Sequence, residues 1–200
     1  MKFSVMSKKR HADPLLHTAR SGVPDQPVRR IIVPRLFLLR HAKAAWAAPG
    51  STDFERPLTT DGMRAARAAG ASMRSAGLLP DVALVSPALR TRQTFEGLAE
   101  SLKGIESVSF EHTLYEGGGD KYLEALRRVP ADTESVLIVG HNPMTEDFGE
   151  ALAGSGDEAA LEAMRAGFPV CGLAVLQFAV PLPDVTLGGG HLESFDVYEG

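Results

Sequence analysis

Short apolar runs and longer stretches of helical spacing alternate along most of this chain. "RLFLL" (35–39), "DVALVS" (81–86), "SVSFEH" (107–112), "SVLIVG" (135–140), "GLAVLQFAV" (172–180) and "HLESFDV" (191–197) read as strands. Several are apolar at every position, the pattern of strands covered on both faces. Between them, 58–77, 87–102, 119–129 and 143–154 read as helices. In the first, Met63, Ala66, Gly70 and Met73 make one stripe, and Arg64, Arg67 and Arg74 lie to one side of it. Thr59 or Thr60 can cap its start and Gly77 can end it. Strands alternating with helices predict an α/β fold with a mainly parallel central sheet.

Composition changes this picture at one end only. The 200 residues are 44% hydrophobic and 23% charged with a net charge of −4, ordinary for one globular domain. The charge is unevenly spread. Residues 1–35 hold eight Lys/Arg against two Asp (+6), and the remainder holds 13 against 23 acids (−10). That basic stretch has neither period and reads as a disordered N-terminal extension or a start set too far upstream. A targeting or polyanion-binding arm is its alternative. The domain is therefore placed at 36–200. Its acidic body argues against nucleic acid as a partner. No apolar run reaches a membrane span, and the single cysteine, Cys171, suits a reducing compartment. The expected location is the cytoplasm, and the sequence leaves oligomeric state open.

Three strands end alike. "LFLL" runs into Arg40 and His41, "VALV" into Ser86-Pro87 with Arg90 one turn on, and "VLIV" into Gly140-His141-Asn142-Pro143. Ligands of open parallel sheets collect beyond the carboxyl ends of the strands. All three endings should face one rim, bringing two histidines and two arginines together. Ser86 or Asn142 can act as N-cap with proline following, and such helix starts suit an anion. Arg90 early in a helix opposes the dipole unless an anion faces it. The pocket predicted is one for phosphate.

Arginine binds phosphate oxygens bidentately but does not attack phosphorus. No serine stands beside a base in the sequence, and Cys171 lacks a phosphate-cradling loop. One of the two histidines can be the nucleophile, kept neutral by nearby arginines. The other can donate to the phosphoryl oxygens. Singly, each ending reads as a cap or turn; together they point to phosphoryl chemistry. No cluster has metal-ligand spacing and no dinucleotide or P-loop glycine pattern occurs, so no cofactor is expected.

"LLRHAKA", "DFERPLTTDG", "SPALRTRQT" and "LIVGHNP" resemble the motifs of the histidine phosphatase superfamily, which includes the phosphoglycerate mutases. The short body and "ERPLT" are most similar to its small SixA-type phosphohistidine phosphatases. The resemblance implies a three-layer α/β/α sandwich, phosphoglycerate mutase-like, without a large cap. It implies a metal-independent phosphatase forming a phosphohistidine on His41, with Arg40, Arg90 and His141 completing the pocket. Arg56 would be a further phosphate or substrate contact, or else an ion-pair partner of Asp53 or Glu55. The usual motif is Arg-His-Gly, whereas this chain has Ala42, which demands a backbone angle that alanine tolerates. For the general acid, Glu116 is the choice, with Asp120 and Glu111 behind it; its alternative is an ordinary exposed acid in a glycine-rich turn. Trp46 would wall the entrance or anchor its loop.

The expected activity is hydrolysis of a phosphoryl group, with a phosphohistidine protein as the substrate the resemblance favours. A small-molecule phosphomonoesterase or a mutase is the alternative within the superfamily. A mutase would need an inserted cap, for which the roughly 30 residues between Ser109 and His141 leave little room. A module that binds a phosphorylated ligand without turnover is the reading from another class, and the presence of His41 weighs against it.

Overall fold

A computed structural model describes residues 33–200. The extension expected over 1–35 lies outside the described residues up to 32, and Arg35 is already the first residue of the sheet. In chain order the elements are β1 (Arg35–Arg40), α1 (Thr60–Ser75), β2 (Val82–Val85), α2 (Leu89–Ala99), β3 (Ser107–Phe110), α3 (Thr113–Glu116) and α4 (Gly119–Arg127). There follow β4 (Ser135–Gly140), α5 (Met144–Leu152), β5 (Ala153–Gly156), α6 (Glu158–Arg165), β6 (Gly172–Phe178) and β7 (Gly190–Val197). Single 3₁₀ turns occupy Asp53–Glu55 and Leu182–Asp184.

The seven strands form one sheet in the order β3-β2-β4-β1-β6-β7-β5. Its β3-β2-β4-β1 half is parallel throughout, while β6 joins β1 antiparallel and β7 joins β6 antiparallel. Alternation along β1 explains its continuous apolar run. Leu36 and Leu38 pack into one core with Tyr122, Leu126, Phe148 and Met164 from α4 to α6. Phe37 and Leu39 pack into the other with Ala66, Met73, Phe95 and Leu98 from α1 and α2. Helices on both faces make the expected three-layer sandwich. Between β3 and β4 lie only α3 and α4, and among the described residues no cap is inserted over the rim. Among the described residues no helix is long and apolar enough to cross a membrane.

Local chemistry fixes the ends of α1. Thr59 accepts from the Gly62 amide at 3.0 Å. Beyond the helix, Leu78 donates to Met73 and Gly77 to Arg74, with Gly77 at φ +70°, a glycine-closed end that satisfies two terminal carbonyls. The buried stripe is Gly62, Ala65, Ala66, Ala69, Gly70 and Met73. Small residues let α1 and α2 approach closely: a Cβ on Gly70 would stand 2.6 Å from the Leu98 carbonyl oxygen.

Three elements differ from the sequence expectation. The helix expected to 154 stops at Leu152, and Ala153–Gly156 pairs with β7 instead. Helices α3 and α6 were not expected. The expected capping by Ser86 and Asn142 is also corrected. The N-caps of α2 and α5 are Ala88 and Pro143, without side-chain capping bonds, because Ser86 and Asn142 are committed elsewhere.

Candidate active site

Adjacent parallel strands β1, β4 and β2 bring their carboxyl ends to one rim. His41 follows β1 and His141 follows β4, and their rings lie 5.2 Å apart between centroids. The register is tied at the strand ends, where the His41 amide donates to the Gly140 carbonyl at 3.0 Å. The His41 carbonyl in turn accepts from the Cys171 amide at 3.1 Å. Arg90, on the first turn of α2, stands buried at 6% exposure, and His141 at 4%.

The proton on His41 is fixed by its neighbour. Its Nδ1 lies 2.8 Å from the Ala42 carbonyl oxygen. A carbonyl only accepts, so Nδ1 carries the hydrogen and Nε2 keeps a free lone pair. Ala42 achieves this with an ordinary backbone: among the described residues, Cys171 is the one non-glycine at positive φ. The Ala42 amide is held by Thr94 Oγ1 at 3.0 Å.

His141 is held from two sides. Its amide donates to the Tyr122 hydroxyl at 3.1 Å, and its Nε2 lies 2.7 Å from Ser86 Oγ. Gly140 is required for the first contact, because a Cβ there would overlap the Tyr122 hydroxyl. The second corrects the expectation that no serine stands beside a base. Ser86 is, however, completely buried, so it orients the ring and is closed to a ligand. The Nδ1 of His141 is buried without a partner among the described residues.

Electrostatics keep both rings neutral. Burial pushes His41 down to about 4, with Arg90, Arg40 and Arg56 acting in the same direction and the Ala42 carbonyl opposing them. Burial, followed by Arg90 and His41, pushes His141 down to about 3.

The arginines are anchored through main-chain oxygens. Arg40 Nη1 donates to the Phe168 carbonyl at 2.7 Å, a carbonyl shared with Asn142 Nδ2 at 3.0 Å. Arg90 Nη1 donates to the Asp53 carbonyl at 2.7 Å, and Arg56 Nε to the Ala45 carbonyl at 2.8 Å. The Nε atoms of Arg40 and Arg90 are buried without a partner among the described residues. Buried donors left unpaired are costly, and here they belong to two guanidinium groups beside two neutral imidazoles. That arrangement can hold an oxyanion and offer it a nitrogen lone pair.

One carboxylate does reach the arginines, and it is Asp53. Its Oδ1 accepts from Arg56 Nη1 at 2.9 Å, and its Oδ2 from Arg90 Nη2 at 3.0 Å and the Tyr115 hydroxyl at 3.3 Å. Tyr115 also sets its ring edge-on to His141 at 5.6 Å. Arg56 therefore is an ion-pair partner of Asp53, and its charge is also felt at His41. Glu116, adjacent to Tyr115, is exposed and makes no side-chain hydrogen bond or ion pair among the described residues. The structure thus brings together Arg40, His41, Arg56, Arg90 and His141, and leaves Glu116 outside. Sequence reasoning missed Tyr115, read Ser86 only as a cap, and named Asp53 only as one alternative ion-pair partner of Arg56. The one signal for Asp53 was its place three residues before Arg56. Among the described residues no three His, Cys, Asp or Glu side chains gather as a metal site would require.

Comparison with known proteins agrees with this geometry. Residues 36–122 match the family model of the histidine phosphatase superfamily (branch 1). An uncharacterised protein of Mycobacterium tuberculosis is 36% identical over 162 residues, spanning 80% of this chain and 99% of its own. The phosphohistidine phosphatase SixA of Escherichia coli is 32% identical over 114 residues, 55% of this chain and 68% of its own. A solved structure from Nakamurella multipartitia, provisionally named a phosphohistidine phosphatase SixA, superposes with a TM-score of 0.72 at 35% identity. That match covers 83% of this chain and 96% of the other. The chain therefore belongs to the histidine phosphatase superfamily, and is a hydrolase of phosphoryl groups.

Proposed function

We propose that this protein is a metal-independent phosphohistidine phosphatase that works through a phosphohistidine of its own on His41. The observation that carries the reading is the 2.8 Å contact between His41 Nδ1 and the Ala42 carbonyl, which leaves Nε2 as the free nucleophilic atom. In the first step Nε2 attacks phosphorus in line, and the bond to the leaving group breaks. In the second, water attacks the same phosphorus and the Nε2–P bond breaks, releasing phosphate.

The other floor residues act on the phosphoryl oxygens. Arg40 and Arg90 neutralise charge through guanidinium donors, including their unpaired Nε atoms. With Ser86 donating to His141 Nε2 across their 2.7 Å contact, the ring proton would sit on Nδ1, the buried atom without a partner among the described residues. That N–H is then a donor for a phosphoryl oxygen as charge shifts in the transition state. Arg56 is a further contact at the rim. Glu116 enters neither step, since its side chain is turned to solvent.

A phosphohistidine protein as substrate is supported by two features. Among the described residues no cap lies over the rim, and Trp46 stands 89% exposed beside Arg56, an open mouth that suits a bulky leaving group. The likeness to the E. coli phosphohistidine phosphatase points the same way. The test is to react the protein with a labelled phosphodonor, quench, and look for an acid-labile, base-stable phosphoryl group. We expect label on wild type, none on His41→Ala, and turnover by His41→Ala lower by ~10⁴-fold or more. An unlabelled wild type, or a variant that turns over normally, sinks the mechanism. Phosphohistidine protein, sugar phosphates and nucleotides offered side by side then rank the substrates.

A further inference from the structure

We infer that Asp53 is the proton carrier of this site, delivering a proton to the leaving group and taking one back from the attacking water, so that the site also accepts phosphomonoesters with poor leaving groups. The inference rests on the histidine phosphatase reading above and supplies the acid that Glu116 does not.

Position comes first. The floor of the site, His141 and Arg90, is buried, while the Asp53 side chain is 54% exposed and stands over Arg90. An in-line attack by His41 from the floor sends the departing atom toward solvent. Asp53 is at that side, tied to the same guanidinium that would grip the phosphoryl group. Every described contact of its carboxylate is with a donor: Arg56 from its own turn, Arg90 from α2 and Tyr115 from α3. Glu55, the other acid of the turn, is bound to Thr52 and is not competing for them.

Substrate binding would change the state of this carboxylate. In the free protein the hydrogen bond from Arg56, reinforced by Arg90, holds Asp53 below the usual carboxylate range. A phosphoryl dianion entering the pocket draws on those same two guanidinium groups. Asp53 then shares its donors and faces a second anion, and both effects favour its protonated form. The acid is thus produced by the ligand it serves. The step balances: Nε2–P forms, P–O or P–N breaks, and the Asp53 proton moves to the departing oxygen or nitrogen. In hydrolysis the Asp53 carboxylate takes a proton from water as the new P–O bond forms and Nε2–P breaks.

The rival role is that Asp53 only positions Arg56 and Arg90. The two roles differ in how they respond to the leaving group, because proton donation matters most where the departing oxygen is basic. The full chain is assayed with phenyl phosphate and with 2,4-dinitrophenyl phosphate as wild type, Asp53→Asn and Asp53→Glu. We expect Asp53→Asn to lower kcat/KM by ~10³-fold for phenyl phosphate and by ~10-fold or less for the dinitrophenyl ester. Asp53→Glu, which keeps both the acid and the charge, should recover part of the phenyl phosphate activity. Equal losses on both esters, or no loss, overturn the inference. Quenched samples with the dinitrophenyl ester separate the two levels of the argument. Label on His41 together with equal losses overturns the role of Asp53 alone. No label on wild type overturns the phosphohistidine mechanism, and this inference with it.

Discussion

The floor and the mouth of this site are built by different means. The floor is made of strand ends: Arg40 and His41 close β1, His141 follows β4, and Arg90 opens α2 after β2. Each is pinned by hydrogen-bonded backbone or by buried side chains, as His141 is by Tyr122 and Ser86. The mouth is made of Trp46, Asp53 and Arg56 from the segment after β1 and of Tyr115 from the single-turn α3, joined by contacts between groups at the surface. The floor sets its geometry before any ligand arrives, which is what transition-state stabilisation requires. The mouth is where partners can be exchanged. Charge follows the same division. The floor holds neutral imidazoles and half-satisfied arginines, whereas the mouth holds Asp53, the carboxylate that pairs with Arg90 and Arg56.

Arg90 belongs to both regions and gives the sharpest way to test the division. Its guanidinium is buried, yet it holds Asp53 through both the backbone carbonyl and the carboxylate. Arg90→Ala should lower kcat/KM by ~10²- to 10³-fold, the usual effect of losing one preorganised donor to developing charge. It should also free Asp53 from one of its two cationic partners. Steady-state kinetics on an aryl phosphate checks the first effect. A loss below tenfold would mean that the floor does not depend on Arg90 and that the line drawn between floor and mouth is misplaced.

Acid should act on the floor before it acts on the mouth. His41 is held at about 4 in the folded protein against an ordinary value near 6.5. Between those values the unfolded chain takes up a proton that the folded chain refuses. Stability is therefore full above pH ~6.5 and falls as the pH drops toward ~4, by at most about 3 kcal/mol for His41. His141, held at about 3, adds in the same direction from pH ~6.5 down toward ~3. Asp53 is displaced below its ordinary carboxylate value, so its contribution is present above that value and is lost only at lower pH. Denaturant unfolding of wild type and His41→Asn from pH 7.5 to 4.5 checks this. The variant should show the shallower decline, and parallel curves would contradict the burial argument.

The same division governs how much could be read from the sequence. Continuous apolar strands ending in Arg-His, Ser-Pro and Gly-His-Asn-Pro identify the floor, because backbone periodicity and topology alone bring parallel strand ends together. The mouth depends on pairs such as Asp53 with Arg90 and Asp53 with Tyr115, set by loop paths between segments far apart in the chain. An acid that meets an arginine there looks in sequence like any exposed acid, and Glu116 was as good a choice as its neighbours. Direction decided between them: at the end of α3, Tyr115 turns inward and Glu116 outward. Ser86 was misread for a related reason, since an N-cap and a support for a distant histidine use the same hydroxyl. Ala153–Gly156 carries no apolar pattern and becomes a strand only by lying against β7. Helix α6 was missed as well, although Asp157, which accepts from the Ala160 amide at its start, is an ordinary capping residue.

Trp46 marks the outer limit of the mouth and should show the smallest effect. It is the chain's one tryptophan and is 89% exposed, and its aromatic contact is with Arg56, whose Cζ lies 5.6 Å from the ring centre. Such an exposed pair contributes ~0.5–1 kcal/mol, and the Nε bond of Arg56 to the Ala45 carbonyl holds that side chain without the ring. Trp46→Ala should therefore change kcat/KM for a small aryl phosphate by less than ~5-fold. Measured on a phosphohistidine protein, the same variant reports on a different quantity, because a large substrate must pass over the tryptophan to reach His41. A loss there well beyond that on the aryl phosphate would show that the mouth extends into a protein-docking surface. Equal small losses on both would confine substrate recognition to the floor and its rim of Asp53, Arg56 and Tyr115.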